Sequence, residues 1–232
     1  PCATEAFFEQ STRLKTECPW IYAMLKTFYQ LDPVSWDQQD GQVEVQKPFP
    51  DHWPDILLKQ SSLYRALPLN LKPKLHELIN LFLDRIEFAP FEGEEPPIEI
   101  TEEMRVLVAA EASILILNLR DDPLECVNLY SVVKKVQIAR DELKDNAGGW
   151  WDYPDATVVL GWDGTLEGSR TTKDKYNVIT HEFAHALDSA ADESCDGNPF
   201  ELKEQHRRGK VVEIQLPDGQ TFKAKNIETA SQ

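Results

Sequence analysis

The sequence has few of the features that mark secreted and membrane proteins. Its four cysteines are scattered over 232 residues with no C-x-x-C pair, so they do not form a disulfide framework. The most apolar run, residues 106–119, contains a glutamate, a serine and an asparagine and is too short to span a bilayer. We therefore expect a cytoplasmic protein with no membrane segment. The chain begins at Pro1 rather than Met, which is also compatible with a signal peptide that has been removed.

Basic residues are also scarce. The chain carries 24 Lys and Arg residues against 40 Asp and Glu residues, which gives a net charge of −16. Such a surface would repel a phosphate backbone, so we expect no nucleic-acid partner. A chain of 232 residues can bury one good core, and we expect one main domain with irregular ends.

One short pattern, H-E-x-x-H at residues 181–185, carries chemistry. Residues four apart lie on one face of a helix, so His181 and His185 can bind the same metal ion. Glu182 lies beside the pair and can accept a proton from a water at the metal without being a ligand itself. The pattern predicts a zinc site with two histidine ligands and a glutamate base.

The residues around the pattern favour a helix. Apolar side chains recur at helical spacing and form one continuous stripe: Ile179, Phe183, Ala186, Leu187 and Ala190. The two histidines lie on the opposite side, and Asp174 is the expected N-cap. An isolated H-E-x-x-H also arises by chance, with its histidines on a solvated face, but the helical phase argues against that alternative.

Helical spacing also predicts segments upstream of the motif. Residues 4–31 have loose helical periodicity, and residues 33–54 form a loop whose aromatic side chains anchor it to the body. A helix beginning near Leu71 places His76 away from its apolar stripe, as a surface residue. Another helix follows Thr101 as N-cap and is apolar nearly all round, which is typical of the middle of a core.

Three segments have the alternating, β-branched character of strands. Residues 129–138 and 157–162 are predicted strands, and residues 211–223 predict a β-hairpin that turns at residues 217–219. In zinc peptidases an edge strand beside the site pairs with extended substrate, and residues 157–162 are the candidate for that role. An ordinary sheet strand is an equally good interpretation of the same residues.

The chain resembles the Mlc titration factor A family over residues 48–202. Five segments carry the resemblance, in the family's order and at about its spacing: PFP at 48–50 with Trp53, YRALP at 64–68, TEEMR at 101–105, VVLGW at 158–162 and YNVITHEFAHALD at 176–188. The resemblance implies an α+β fold, a helix-rich zincin-like (gluzincin) metallopeptidase domain with a small sheet. It divides the chain into an N-terminal helical extension (1–47), that domain (48–202) and a divergent C-terminal segment (203–232).

The resemblance also implies a function. Family members are cytoplasmic zinc peptidases with aminopeptidase activity on small peptides, and His181 and His185 match their zinc ligands while Glu182 matches their catalytic glutamate. Some members bind a sugar-responsive transcriptional repressor, which implies a regulatory protein as a partner besides the peptide substrate. The alternative is a binding module with a peptidase-like fold, an incomplete metal site and a protein partner.

The third zinc ligand is unassigned. In the family it is a glutamate well beyond the second histidine, whereas this chain ends 47 residues after His185. Asp188 is expected to orient an imidazole rather than bind the metal, and Glu228 is a weak candidate ligand. The remaining candidates are expected to be solvated: Asp192, Glu193, Asp196, Glu201, Glu204 and His206. We expect a truncated site in which two imidazoles hold zinc loosely.

Overall fold

A computed structural model of the chain describes residues 3–38, 49–140, 143, 148–171, 177–191, 212–215 and 221–224. Its α-helices, in chain order, are α1 Ala3–Glu9, α2 Ser11–Glu17, α3 Pro19–Tyr29, α4 Trp53–Gln60, α5 Ser62–Ala66, α6 Lys72–Arg85, α7 Glu102–Ile116, α8 Pro123–Asn128, α9 Trp162–Arg170 and α10 Val178–Ala191. Short 3-10 helices span Pro33–Gln38 and Leu69–Leu71. The strands are β1 Glu87–Pro90, β2 Lys135–Ala139, β3 Gly149–Asp152, β4 Thr157–Gly161, β5 Val212–Gln215 and β6 Thr221–Ala224. This helix-rich architecture with a small sheet agrees with the predicted α+β class.

The main sheet has four strands in the order β1-β2-β4-β3. Strands β1, β2 and β4 are parallel, and β3 runs antiparallel to β4 at the edge. The prediction that residues 157–162 form the edge strand is therefore wrong. All five residues of β4 are buried. Apolar, largely β-branched side chains on both faces are typical of a parallel strand that is covered on both sides.

The predicted strand at residues 129–138 is shorter than expected. Only Lys135–Ala139 pairs in the sheet, and the preceding residues form turns after α8. Tyr130 and Val133 are buried in those turns, and the Tyr130 hydroxyl donates to the carbonyl of Ala112 at 2.8 Å. Their apolar character thus reflects packing against α7 rather than a strand.

Helix α10 lies between the core and the edge of the sheet. It packs on α7 and also contacts β3. Phe183, fully buried, places its ring centroid 5.5 Å from that of Phe82 and 5.1 Å from that of Tyr130. Since Ile179, Ala186 and Leu187 are fully buried as well, the predicted apolar stripe faces the core and the histidines lie on the other side. The α7 helix is capped by Thr101, as predicted.

The N-terminal helices α1 to α3 pack together with aromatic contacts between α1 and α3, and α1 contacts α10. Residues 4–31 are helical as predicted, and the rings of Phe7 and Tyr29 stack with centroids 5.6 Å apart. Trp36 and Phe49 are buried, which confirms that the aromatics near residues 33–54 anchor that segment. Trp53 belongs to α4 rather than to a loop.

His76 was predicted to lie on the surface, and this prediction is wrong. Its side chain is buried, its ring stacks on Phe49 at 3.8 Å, and its Nε2 lies 2.8 Å from the Tyr64 hydroxyl. The partners come from segments that precede α6, so the periodicity of α6 itself does not reveal them. Burial lowers the pKa of His76 to about 4.

The C-terminal hairpin is confirmed. Strands β5 and β6 pair antiparallel, with Ile214 opposite Phe222, and the predicted turn at residues 217–219 lies outside the described residues. Across the part of the chain that the structure describes, no helix has the combination of length and apolarity needed to cross a membrane.

Candidate metal centre

The start of α10 is held by a buried polar network. The Asn177 side chain accepts a hydrogen bond from the Thr180 N–H at 3.0 Å, so Asn177 caps the helix, while the predicted cap, Asp174, lies outside the described residues. The Asn177 amide donates to the fully buried Glu111 of α7 at 2.9 Å. Burial raises the pKa of Glu111, and two hydroxyls also donate to its carboxylate: those of Ser61 and Ser169. The network therefore connects α10, the helix that carries the H-E-x-x-H motif and is called the metal helix below, to α7.

The two histidines of the motif converge. The Nε2 atoms of His181 and His185 lie 2.8 Å apart, and the rings are nearly perpendicular with centroids 4.4 Å apart. Burial lowers the pKa of His185 to about 4, so this imidazole is neutral at neutral pH. Neutral imidazole nitrogens are the form that binds metal ions.

Glu182 lies between the histidines and the edge strand β3. It is 3% exposed, and the Trp151 backbone N–H donates to its carboxylate. A methyl group at Gly149 would lie 3.2 Å from Glu182 Cγ and 2.6 Å from the Val159 carbonyl oxygen, so glycine permits the close approach of β3 to α10. Burial raises the pKa of Glu182 to about 7, which suits a group that accepts and releases a proton.

A buried carboxylate that the sequence reasoning missed completes the surroundings of His181. Glu5 of α1 is 1% exposed, and its Oε2 lies 2.8 Å from Nδ1 of His181, 176 residues away in sequence. The only local signal was that Glu5 stands among apolar residues of a short helix that is buried nearly throughout. The periodicity of the sequence does not predict that Glu5 contacts His181.

The donor atoms fit a zinc ion. One ligand atom each from His181, Glu182 and His185 lies within 4.8 Å of the others, and the imidazole nitrogens of the two histidines are donors that zinc uses. Within the described segments no further His, Cys, Asp or Glu joins this group. Asp188, on the same helix and partly buried, is not a member of it, and its predicted orienting role stays a prediction.

The other candidates for a third ligand lie outside the residues that the structure describes: Asp192, Glu193, Asp196, Glu201, Glu204, His206 and Glu228. Their roles, and the expectation of a truncated site, therefore stay predictions. The same holds for the assignments of His181, His185 and Glu182, although the structure brings these three side chains together.

Comparison with known proteins decides the family. The family described as glucose-regulated metallo-peptidase M90 matches residues 35–214, well over half of the chain. The chain belongs to this family. The predicted membership in the Mlc titration factor A family is thus confirmed, over a longer span than residues 48–202.

The chain is also similar to an uncharacterized protein of Synechocystis sp., with 30% identity over 165 residues. That similarity covers 66% of this chain and 58% of the relative, so the chain spans less than two thirds of the relative's length. No solved structure matches the chain. The M90 segment begins after α1, which leaves Glu5 outside it.

Proposed function

We propose that this protein is a zinc-dependent peptidase with a zincin-like domain, in which His181 and His185 bind zinc and Glu182 is the general base. The observation that carries the proposal is the convergence of the two Nε2 atoms, 2.8 Å apart, beside a buried glutamate of the same helix. Membership in a metallopeptidase family supports it. The proposal extends to aminopeptidase action on small peptides in the cytoplasm, by resemblance to the family.

Each residue of the site has a defined task in this proposal. Zinc, when bound, supplies Lewis acidity toward a carbonyl and lowers the pKa of a coordinated water toward about 7. Glu182 accepts the proton of the attacking water at its carboxylate and passes it to the leaving amine. The Trp151 N–H holds that carboxylate in place, and burial keeps its pKa near the pH at which it must both gain and lose a proton.

Strand β3 supports a mode of substrate binding. Among the described strands it lies at the edge of the sheet, it pairs with β4 on one side, and it contacts α10. The Trp151 indole donates to the Ser189 hydroxyl at 2.9 Å, so the strand is attached to α10 one turn beyond His185. An extended peptide that pairs with the outer edge of β3 would run past Glu182 and the histidines. β3 replaces β4 as the candidate for this role.

Metal content and turnover test the proposal together. With zinc in excess, the purified 232-residue chain should bind close to one zinc per chain and hydrolyse an amino-acid anilide. Removal of zinc with a chelator should abolish turnover, and added zinc should restore it. Hydrolysis that persists in the metal-free protein would contradict the zinc mechanism, and absence of zinc binding would contradict the ligand assignment.

A second candidate function is capture of a regulatory protein, such as a transcriptional repressor, by a peptidase-like fold without turnover. The observation that favours it is that, among the described residues, only Glu182 joins the two histidines. Catalytic zinc sites use three protein ligands, so two imidazoles alone would bind the ion weakly. A folded chain that neither keeps zinc after desalting nor hydrolyses the anilide would favour this alternative.

A further inference from the structure

Helix α1 lies outside the segment that matches the M90 family, yet it contacts the metal helix. The family segment begins at residue 35, whereas α1 spans Ala3–Glu9 and packs on α10. The contact is polar at its centre, where Oε2 of Glu5 lies 2.8 Å from Nδ1 of His181. A segment outside the family match therefore touches one of the proposed zinc ligands.

The hydrogen bond to Glu5 determines which ring nitrogen of His181 keeps a lone pair for a metal ion. A carboxylate only accepts hydrogen bonds, so Nδ1 of His181 must carry the proton that it donates to Glu5. A neutral imidazole has one protonated nitrogen, so the Nε2 of His181 then keeps its lone pair. That lone pair points at the position shared with His185, whose Nε2 is 2.8 Å away.

Glu5 acts through His181 and is not itself a ligand. It lies against Nδ1, at the far side of the ring from Nε2, and it is not in the group of donor atoms within 4.8 Å of one another. It is also placed firmly. The neighbouring Thr4 hydroxyl lies 2.9 Å from the Tyr29 hydroxyl, and Phe7 stacks on the same tyrosine. These contacts hold helix α1 in place, with the Glu5 carboxyl group against the imidazole of His181.

We propose that Glu5 is a positioning residue of the metal centre, which holds His181 in the Nδ1–H tautomer and aims its Nε2 at the metal. The proposal rests on the proposed function in that His181 is taken as a zinc ligand. It assigns a role in the site to the N-terminal helix. It also predicts a specific dependence of zinc affinity on a residue 176 positions away.

Zinc affinity of Glu5 variants is the first test, measured by competition with a chromophoric chelator on the 232-residue chain. Glu5→Gln and Glu5→Ala should weaken zinc binding by about 10- to 100-fold, which is typical when the partner of a ligating histidine is removed. Glu5→Asp keeps the charge on a shorter side chain and should recover part of that loss. Affinity within about twofold of the wild type in folded Glu5→Gln and Glu5→Ala would overturn the proposal.

Glu9→Gln is the matched control. Glu9 lies one turn further along α1, and its carboxyl accepts from the Asn177 backbone N–H rather than from a histidine. Burial raises the pKa of Glu9 to about 9, so it is neutral at neutral pH and glutamine is close to it in shape and charge. We expect Glu9→Gln to bind zinc as the wild type does. An equal loss in Glu9→Gln and Glu5→Gln would overturn the proposal, because any change on α1 would then have the same effect.

The tautomer of His181 can be read in the wild type without zinc, which avoids dependence on a variant that folds poorly. At about pH 8, above the ordinary histidine pKa, nitrogen chemical shifts from ¹⁵N-labelled histidine distinguish the protonated from the bare ring nitrogen. We expect His181 to be mainly Nδ1–H in the wild type and in Glu9→Gln, and to lose that preference in Glu5→Ala. Mainly Nε2–H in the wild type would overturn the proposal.

The two tests separate this inference from the proposed function. If the wild type binds no zinc, the peptidase proposal and the role of Glu5 toward zinc fail together, and the spectrum of the zinc-free protein still decides whether Glu5 sets the tautomer. If the wild type binds zinc and the Glu5 variants bind it equally well, only the present inference fails.

Discussion

Two described regions of this protein hold histidines that are buried or half-buried, and they differ in what the rings contact. On α6, the buried His76 lies 2.8 Å from the Tyr64 hydroxyl and stacks on the ring of Phe49. On α10, His181 meets the buried Glu5 carboxylate and directs its other nitrogen at His185. Burial alone therefore does not make a histidine a ligand. The convergence of two ring nitrogens, with a carboxylate behind one of them, distinguishes the proposed metal centre from the core.

The buried glutamates of the same regions show a parallel difference. Glu111 receives three side-chain hydrogen bonds, from Ser61, Ser169 and Asn177, and it links helices. Glu182 receives a hydrogen bond from the Trp151 backbone and lies with the histidines in one group. A carboxylate surrounded by donors stabilises the fold, whereas one beside two imidazoles can exchange a proton.

The largest expected effect separates these two glutamates. Glu182→Gln should lower the turnover of an amino-acid anilide by about 100-fold or more while zinc stays bound, because an amide keeps the shape but cannot accept the proton. Glu111→Gln should lower the free energy of unfolding and leave the turnover of the folded protein near that of the wild type. Steady-state kinetics with metal analysis measures both. Retention of more than about a tenth of the turnover in Glu182→Gln would contradict the assigned base.

The second prediction concerns the pH dependence of stability that His76 contributes. The pKa of His76 is about 4 in the folded protein against an ordinary value of 6.5, so between these values the unfolded chain binds a proton that the folded chain does not. Protonation of His76 in the unfolded chain should therefore lower the free energy of unfolding by up to about 3 kcal/mol as the pH falls from about 6.5 to 4.

His76→Gln should flatten this dependence, measured by urea unfolding at a series of pH values. Thr27→Val, which removes an exposed hydroxyl from α3 and changes no titratable group, provides the control. It should leave the slope between pH 6.5 and 4 nearly unchanged. Equal slopes for the wild type and His76→Gln would show that His76 is not buried in the neutral form.

The third prediction tests the close approach of β3 to the metal helix. Gly149→Ala places a methyl group 2.6 Å from the Val159 carbonyl oxygen and 2.8 Å from Val178 Cγ1, so the backbone or Val178 must move. We expect a loss of about 1–3 kcal/mol in the free energy of unfolding. Turnover should fall by about tenfold, because Glu182 is displaced from its position.

Gly164→Ala is the control for that substitution, since a methyl group at Gly164 of α9 meets nothing within 4 Å. It should leave turnover unchanged and raise stability by up to about 1 kcal/mol, as alanine favours a helix over glycine. If Gly149→Ala behaves in the same way, β3 is not packed tightly against Glu182.

The smallest expected effect is at the attachment of β3 to the far end of the site. Ser189→Ala removes the hydroxyl that accepts from the Trp151 indole at 2.9 Å, and should cost about 0.5–1.5 kcal/mol in the free energy of unfolding. Zinc affinity should stay within about twofold of the wild type, because neither imidazole loses a side-chain partner. The Ser189 hydroxyl also donates to the His185 backbone carbonyl at 2.8 Å, so a large loss of zinc would mean that this contact positions His185.

Much of the local structure was predictable because it depends on short-range periodicity. The apolar stripe of α10, the Thr101 cap and the C-terminal hairpin follow from residues that are close in the chain. The H-E-x-x-H spacing likewise places His181 and His185 on one helix face with Glu182 beside them. The errors arose where residues distant in sequence meet, as at His76 and at the edge of the sheet.

By itself, the sequence determined the helix that carries the H-E-x-x-H motif, the phase of its two faces and the family to which the chain belongs. Only the tertiary structure decided that β3 rather than β4 lies at the edge of the described sheet beside Glu182, and that the Glu5 carboxyl group lies 2.8 Å from Nδ1 of His181. The physical reason is that helical phase is a local property of the backbone. Strand order and the partner of a buried carboxylate depend instead on how segments far apart in the chain pack together.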